Sequence, residues 1–252
     1  MKTREITKEI TKPGGGSTNW SVFVGCAHGC SYCFAVKVAR SVLKNTLHFR
    51  QHGFKPHFVE EELSRSFKSQ DFVCISWLGD ICFATAQELA RILERAGQFP
   101  QTEFLLLTKD PGRLLAKCPP LPENFVVGAS IESNRNYSLS KAPPPVDRLK
   151  ALARANRRSL SLEPVLDFDL DIMVQWVESL RPEYVVVGPP YRRSGLVPPP
   201  REKLSELLLC LKGVCHNVVV KKGLETVPGS SILGSIKGGQ ESLKHCHKYD
   251  EA

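Results

Sequence analysis

Three cysteines, Cys26, Cys30 and Cys33, stand close together with the spacing C-x3-C-x2-C, in the segment Gly25-Cys26-Ala27-His28-Gly29-Cys30-Ser31-Tyr32-Cys33-Phe34-Ala35. Random placement of the chain's nine cysteines gives that pattern with odds of about one in a hundred, so the spacing asks for a chemical reason. Nine is also an odd number, awkward for a disulfide framework and more in keeping with metal binding or thiol chemistry. Three thiolates on one short loop match three corners of a 4Fe-4S cube, whereas ordinary electron-transfer clusters take four cysteines. A cube held by three keeps one iron open, and an open metal position is where chemistry happens. Structural zinc is the competing reading, with His28 or a distant cysteine completing the ligands. Zinc sites of that kind use two separated ligand pairs, and Cys210 with Cys215 would make only a distorted second one. His28 otherwise reads as a loop residue or a hydrogen-bond donor behind the ligands.

The elements that must position this loop are short apolar, β-branched runs alternating with helical periodicity. Runs at 21–25, 72–76, 104–108, 125–131, 160–163, 184–188 and 217–220 read as strands; stretches at 35–43, 86–95, 111–117, 146–155, 170–180 and 201–211 read as helices. A further helical stretch, 59–67, lengthens the first crossover. Strands apolar along their whole length are buried on both faces. The alternation therefore predicts an α/β fold, a parallel sheet covered by helices and curled into a barrel or a doubly wound sheet. Chemistry in such folds gathers at the C-terminal strand ends. Gly79, Asp80 and Cys82 follow the second run, Lys109 the third, Ser130 and Glu132 the fourth, and Glu163 ends the fifth. Residues 1–19 read as a polar, flexible lead-in, 20–222 as the barrel, and 223–252 as a Gly/Ser-rich and polar tail. His245-Cys246-His247 in that tail could hold an adventitious metal.

With Tyr32 just before the last cysteine, the motif resembles that of the radical S-adenosylmethionine superfamily. More narrowly, the motif, Leu105-Leu-Leu-Thr-Lys109 and Leu162-Glu-Pro164 are similar to an uncharacterised phage-protein-like family of unknown function, and more distantly to spore photoproduct lyase. The resemblance implies a partial, open parallel β/α barrel of about six strands and a 4Fe-4S cluster on Cys26, Cys30 and Cys33. It also implies that S-adenosylmethionine chelates the open iron and is reductively cleaved to a 5′-deoxyadenosyl radical, which abstracts hydrogen from a substrate. The electron would come from a one-electron reductant such as flavodoxin or ferredoxin. On the same footing Tyr32 meets the adenine, and Gly79 with Asp80 stands where the superfamily's Gly-Gly-Glu receives the amino group. Asp80 is a methylene shorter and could instead contact substrate or cap the helix near Thr85. Lys109 would pair with the methionyl carboxylate or stay solvated, and Ser130 and Glu132 would bond ribose hydroxyls or serve as polar turn residues. Glu163 would serve substrate or ribose, and Arg148 would pair with one of these acids or sit in solvent. Cys82 is a candidate hydrogen donor; Cys74, inside a strand, reads as buried packing.

The chain has 252 residues, 42% hydrophobic and 24% charged, which excludes collagenous, disordered and small disulfide-scaffold classes. No apolar run reaches the roughly 18 residues of a membrane span and the first residues are charged, so no membrane association and a cytoplasmic location are expected. A net charge of +8 favours an anionic substrate, nucleic acid or nucleotide ahead of peptide, although solubility alone would also explain it. Basic residues that could serve such a partner are Lys37, Arg40, Lys44 and Arg50, then Arg154, Arg157 and Arg158, and the pairs Arg192-Arg193 and Lys221-Lys222. Two alternatives remain beside this expectation: a radical enzyme that modifies peptide or protein, and a non-enzymatic, zinc- or cluster-stabilised nucleic-acid-binding module.

Overall fold

The computed structural model describes residues 17–69, 71–190, 194–221 and 223–224. Arg192, Arg193, Lys222 and the His245-Cys246-His247 tail lie outside the described residues. The described residues open with β1 (Ser17–Trp20) and β2 (Phe23–Val24), then α1 (Phe34–Ser41), α2 (Leu47–His52) and β3 (His57–Phe58). Next come β4 (Phe72–Ile75), α3 (Ala86–Gly97), β5 (Glu103–Thr108), α4 (Pro111–Leu115), β6 (Phe125–Ser130) and α5 (Pro145–Leu152). β7 (Arg158–Leu162), α6 (Leu170–Leu180), β8 (Tyr184–Val187), α7 (Arg201–Val214) and β9 (Val218–Val220) complete it. Short 3-10 turns at Glu60–Ser64 and Ile81–Phe83 lie in the crossovers.

Seven strands form one parallel sheet in the order β1-β4-β5-β6-β7-β8-β9, so neighbours in the chain are neighbours in the sheet. The result is the expected α/β half-barrel, with one strand more than the resemblance implied. Alternate residues divide its two faces, as the period of two demands. Val73, Ile75, Phe104, Leu106, Phe125 and Val127 join the large core beneath the helices, while Phe72, Cys74, Leu105 and Val126 make a smaller cluster on the inner face. The Cys74 thiol is buried there, and burial pushes it up to about 12.

The first sheet strand was expected at 21–25 and lies instead at Ser17–Trp20, across the boundary between the segment read as the lead-in and the barrel. Ser17–Trp20 reads Ser-Thr-Asn-Trp, polar but for the buried Trp20, so it carries no apolar run to mark a strand, and the apolar 21–25 run serves a different sheet. Trp20 pairs in register with Ile75 in the barrel, whereas Phe23 and Val24 pair antiparallel with Phe58 and His57. The stretch at 59–67 is a single 3-10 turn, and α2 had no forecast at all; it is six residues long, too short to build a period.

α3 begins with a reciprocal cap: Thr85 Oγ1 accepts from Glu88 N at 3.2 Å and Glu88 Oε2 accepts from Thr85 N at 2.7 Å. Thr85→Ala is expected to cost about 1 kcal/mol, seen as a lower urea midpoint with an unchanged slope. Among the described residues no helix is long and apolar enough to cross a membrane.

Candidate functional site

The cysteine loop is carried from β2 onto two other loops by backbone contacts. Gly25 N donates to Leu78 O at 3.1 Å, Asp80 N donates to Gly25 O at 3.1 Å, and Cys26 N donates to Phe54 O at 3.2 Å. Gly25 has φ +86°, and a Cβ there would lie 2.2 Å from Lys55 O. A Cβ on Gly79 would lie 2.8 Å from Gly25 O. Gly79, expected at the cofactor, is thus occupied by close backbone approach to the loop that carries the cysteines.

All three thiols are half-buried. His28 N donates to Cys26 Sγ at 3.4 Å, and Cys33 is the N-cap residue of α1, at the positive end of its dipole. Burial pushes the Cys26 thiol up to about 12, with Asp80 and the other two thiols adding to the effect. Burial also raises Cys30, opposed by the charge of Lys109. Grouped thiols of this kind ionise readily only when a metal replaces the proton.

Behind the loop Asp80 holds four protein donors. Its Oδ1 accepts from Cys82 N at 3.0 Å and Thr108 Oγ1 at 2.6 Å; its Oδ2 accepts from Lys109 N at 2.9 Å and from His28 Nε2 at 3.1 Å. Burial opposes the charge, yet His28, Thr108 and the Lys109 amide together hold the carboxyl below its usual range. Asp80 therefore ties the cysteine loop to β5, and as a cap it serves the 3-10 turn Ile81–Phe83, while Thr85 caps α3. The Cys82 thiol is fully buried in the large core, 3.5 Å from His28 Nε2, and burial followed by Asp80 raises it strongly. The candidate hydrogen donor Cys82 thus packs in the core beside His28.

In front lies a second buried group around Glu132. Lys109 Nζ donates to its Oε1 at 2.6 Å and Arg148 Nη1 to its Oε2 at 2.8 Å, and the Tyr32 hydroxyl donates to Oε1. Lys109 Nζ also stands 5.3 Å from the centre of the Tyr32 ring. Burial works against the Glu132 charge, but Lys109 and then Arg148 pull the carboxyl down to about 2. The Tyr32 hydroxyl is pushed up, by burial first and Glu132 second. Arg148 additionally donates to Ser130 O at 3.0 Å and Pro143 O at 2.6 Å, fixing the end of β6, where Ser130 is half-buried. Lys109 is thus a half-buried ion-pair partner and Glu132 a buried charge anchor, neither of them a solvated side chain nor a polar turn residue.

Glu163 stands apart from this group, beyond the end of β7. Lys221 Nζ lies 2.7 Å from its Oε1 and Ser161 Oγ donates to its Oε2 at 3.1 Å. A Cβ on Gly188 would lie 2.2 Å from Glu163 Oε1, so the glycine makes room for the carboxylate. Residues 132–144 then cross to the cysteine loop: Ser31 N donates to Leu139 O at 3.0 Å and Lys141 N to His28 O at 2.7 Å. A pocket at this crossing is lined by Glu132, Arg135, Leu139, Ser140 and Arg148. Sequence reading missed Thr108 and this crossing. The Thr-Lys pair could have signalled the former, but nothing local marks the latter.

Besides Lys221, paired with Glu163, two more of the basic residues are engaged inside the fold. Arg157 bridges Glu183 and Glu103 at the N-terminal strand ends, and Arg158 donates to the carbonyls of Ala153, Ala155 and Leu180 at helix termini. Arg40, Lys44 and Arg50, in the α1–α2 segment after the cysteines, are exposed.

A parallel α/β half-barrel with a three-cysteine loop at the C-terminal end of its strands defines the class. The family follows from the sequence: residues 16–190 match the model of a protein family of unknown function, DUF5131, and the chain belongs to it. No curated protein matches the sequence significantly. Solved structures of spore photoproduct lyase share the fold. A tyrosine-to-phenylalanine mutant aligns with TM-score 0.56 and 13% identity, over 86% of this chain and 79% of that chain. A cysteine-to-alanine mutant with dinucleoside spore photoproduct gives 0.57 and 12% over the same shares.

Proposed function

We propose that this chain is a radical S-adenosylmethionine enzyme whose 4Fe-4S cluster is held by Cys26, Cys30 and Cys33. The observation that carries the reading is the set of three half-buried thiols on one loop at the strand ends of a half-barrel, with a backbone N–H already directed at the Cys26 sulfur. That donor set suits the group: three soft thiols on one loop that bind metal as thiolates and would leave one iron of a cube open. When bound, the cluster and S-adenosylmethionine supply one-electron cleavage of the sulfur to C5′ bond and a 5′-deoxyadenosyl radical that abstracts hydrogen. The protein's part is position and charge. Lys109 offers a cation for the methionyl carboxylate, Glu132 holds Lys109 and Tyr32 in place, and the Tyr32 ring offers an aromatic surface for the adenine. Ser130 and Glu163, both half-buried at strand ends, serve ribose or substrate. Asp80 acts as a positioning residue through His28, because its oxygens are already filled. The electron comes from a flavodoxin- or ferredoxin-like donor. The substrate is anionic, nucleic acid ahead of peptide, a choice supported by the +8 charge and by exposed Arg40, Lys44 and Arg50. Polynucleotide binding that weakens steeply with added salt supports that choice, and salt-insensitive binding of a peptide supports the protein-modifying alternative.

One observation favours a second reading, a mononuclear zinc-type site in a binding module: the ligand atoms of Cys26, His28 and Asp80 all lie within 4.8 Å of one another. It leaves Cys30 and Cys33 without a role. It also needs the His28 nitrogen that now donates to Asp80. Anaerobic reconstitution separates the two. The cluster reading expects Cys30→Ala to lose the iron and His28→Ala to keep it; the zinc reading expects metal retained in Cys30→Ala and lost in His28→Ala.

A further inference from the structure

On the far side of the segment that supports Cys26 lie three histidines that nothing above uses. We propose that His48, His52 and His57 form a separate binding site for a borderline divalent cation, zinc above all. His48 and His52 stand four residues apart on α2, hence on one face of the helix. After the turn at Gly53, where φ is +60°, the chain comes back so that His57 on β3 faces them. The His52 and His57 rings are 4.3 Å apart and the His48 and His57 rings 5.9 Å, each pair within 17° of parallel.

The protonation of His57 is fixed by its neighbour. Its Nδ1 lies 2.8 Å from Lys55 O, a carbonyl that can only accept, so Nδ1 carries the proton and Nε2 the lone pair. That Nε2 is buried and has no hydrogen-bond partner. A buried acceptor left unpaired costs about 1–3 kcal/mol, and a cation would satisfy it. A backbone carbonyl on one ring nitrogen with the other free is also how metal-binding histidines are usually oriented. Glu61, on the 3-10 turn, adds a carboxylate 3.8 Å from His48 Nε2 as counter-charge or fourth ligand. Imidazole with carboxylate selects zinc, nickel or copper over magnesium or calcium. Stacked rings must turn to converge on one ion. His52 is exposed and the His48 side chain is 41% exposed, which leaves both free to do so. An ion joining His52 to His57 would brace residues 53–55, and with them the Phe54 carbonyl that receives Cys26 N.

The test is a zinc chloride titration of the untagged full chain carrying Cys26→Ser, Cys30→Ser, Cys33→Ser, His245→Ala, Cys246→Ser and His247→Ala, so that neither the cysteine loop nor the tail competes. The expected result is one saturable zinc, with affinity falling at least about 100-fold in each of His48→Ala and His52→Ala, surface changes that leave the fold intact. His57→Gln is expected to weaken binding as much. Equal binding by parent and His57→Gln would mean that the helix pair alone captures the ion, and the site is then wrong as stated. No saturable binding by the parent overturns it as well.

Discussion

Glu132→Ala is expected to lower folding stability by roughly 3–5 kcal/mol, because it leaves Lys109 and Arg148 buried without their shared counter-charge. Few single changes outside the core should cost as much. The pH dependence identifies the cause. The carboxyl titrates from 4.5 in the unfolded reference down to about 2 in the folded chain. A depressed folded value means that the stabilisation is fully present above pH 4.5 and is lost as pH falls toward 2. The loss amounts to about 3 kcal/mol for this one group. Glu132→Gln removes the charge while preserving shape, so its stability curve should lack that part of the acid slope. Urea midpoints of wild type and Glu132→Gln should therefore converge between neutral pH and pH 3. A difference independent of pH would mean that Glu132 contributes packing and not charge.

The second large effect is expected at Gly25→Ala. The substitution must hold a side chain at φ +86° and place its Cβ 2.2 Å from a backbone oxygen, where no rotamer can relieve the contact. Left-handed φ alone costs about 1 kcal/mol, and the collision forces the loop off residues 53–55 and 78–80. The chain should still fold, since the sheet does not depend on this contact. Iron uptake on reconstitution should fall to background, and the amides of Cys26 and Asp80 should exchange hydrogen much faster. Gly97→Ala is the matched control: nothing lies within 4 Å of its added Cβ, and it ends a helix. It should be neutral or slightly stabilising and leave iron uptake unchanged.

Much of this was legible along the chain because two periods survive in it. Strand runs separated by helical stretches announced a parallel α/β sheet, the resemblance gave it its half-barrel form, and the rule that chemistry gathers after strand ends singled out Lys109, Ser130, Glu132 and Glu163. The cysteine spacing was legible for a different reason, since three ligands on one loop must be close in sequence. Pairings between distant loops left no such trace. His28 and Asp80 are 52 residues apart, and Tyr32 and Glu132 are 100 apart. The residue types made each a candidate, and only the fold could say that Asp80 was already filled by protein donors. Cys82 shows the converse. Its place two residues beyond Asp80 suggested the rim, but the 3-10 turn rotates it into the core. β1 at Ser17–Trp20 left no trace because Ser-Thr-Asn-Trp has one apolar residue, Trp20, and its partner β4 lies some fifty residues away.

The central claim is the radical chemistry of the three-cysteine loop, and its most direct measurement is 5′-deoxyadenosine formation. The full chain, reconstituted anaerobically with iron and sulfide, is reduced in the presence of S-adenosylmethionine and compared with Cys30→Ala treated identically. The account predicts nucleoside from the wild type and none from the variant. A wild-type chain that takes up zinc but no iron, binds no S-adenosylmethionine and yields no nucleoside would contradict it.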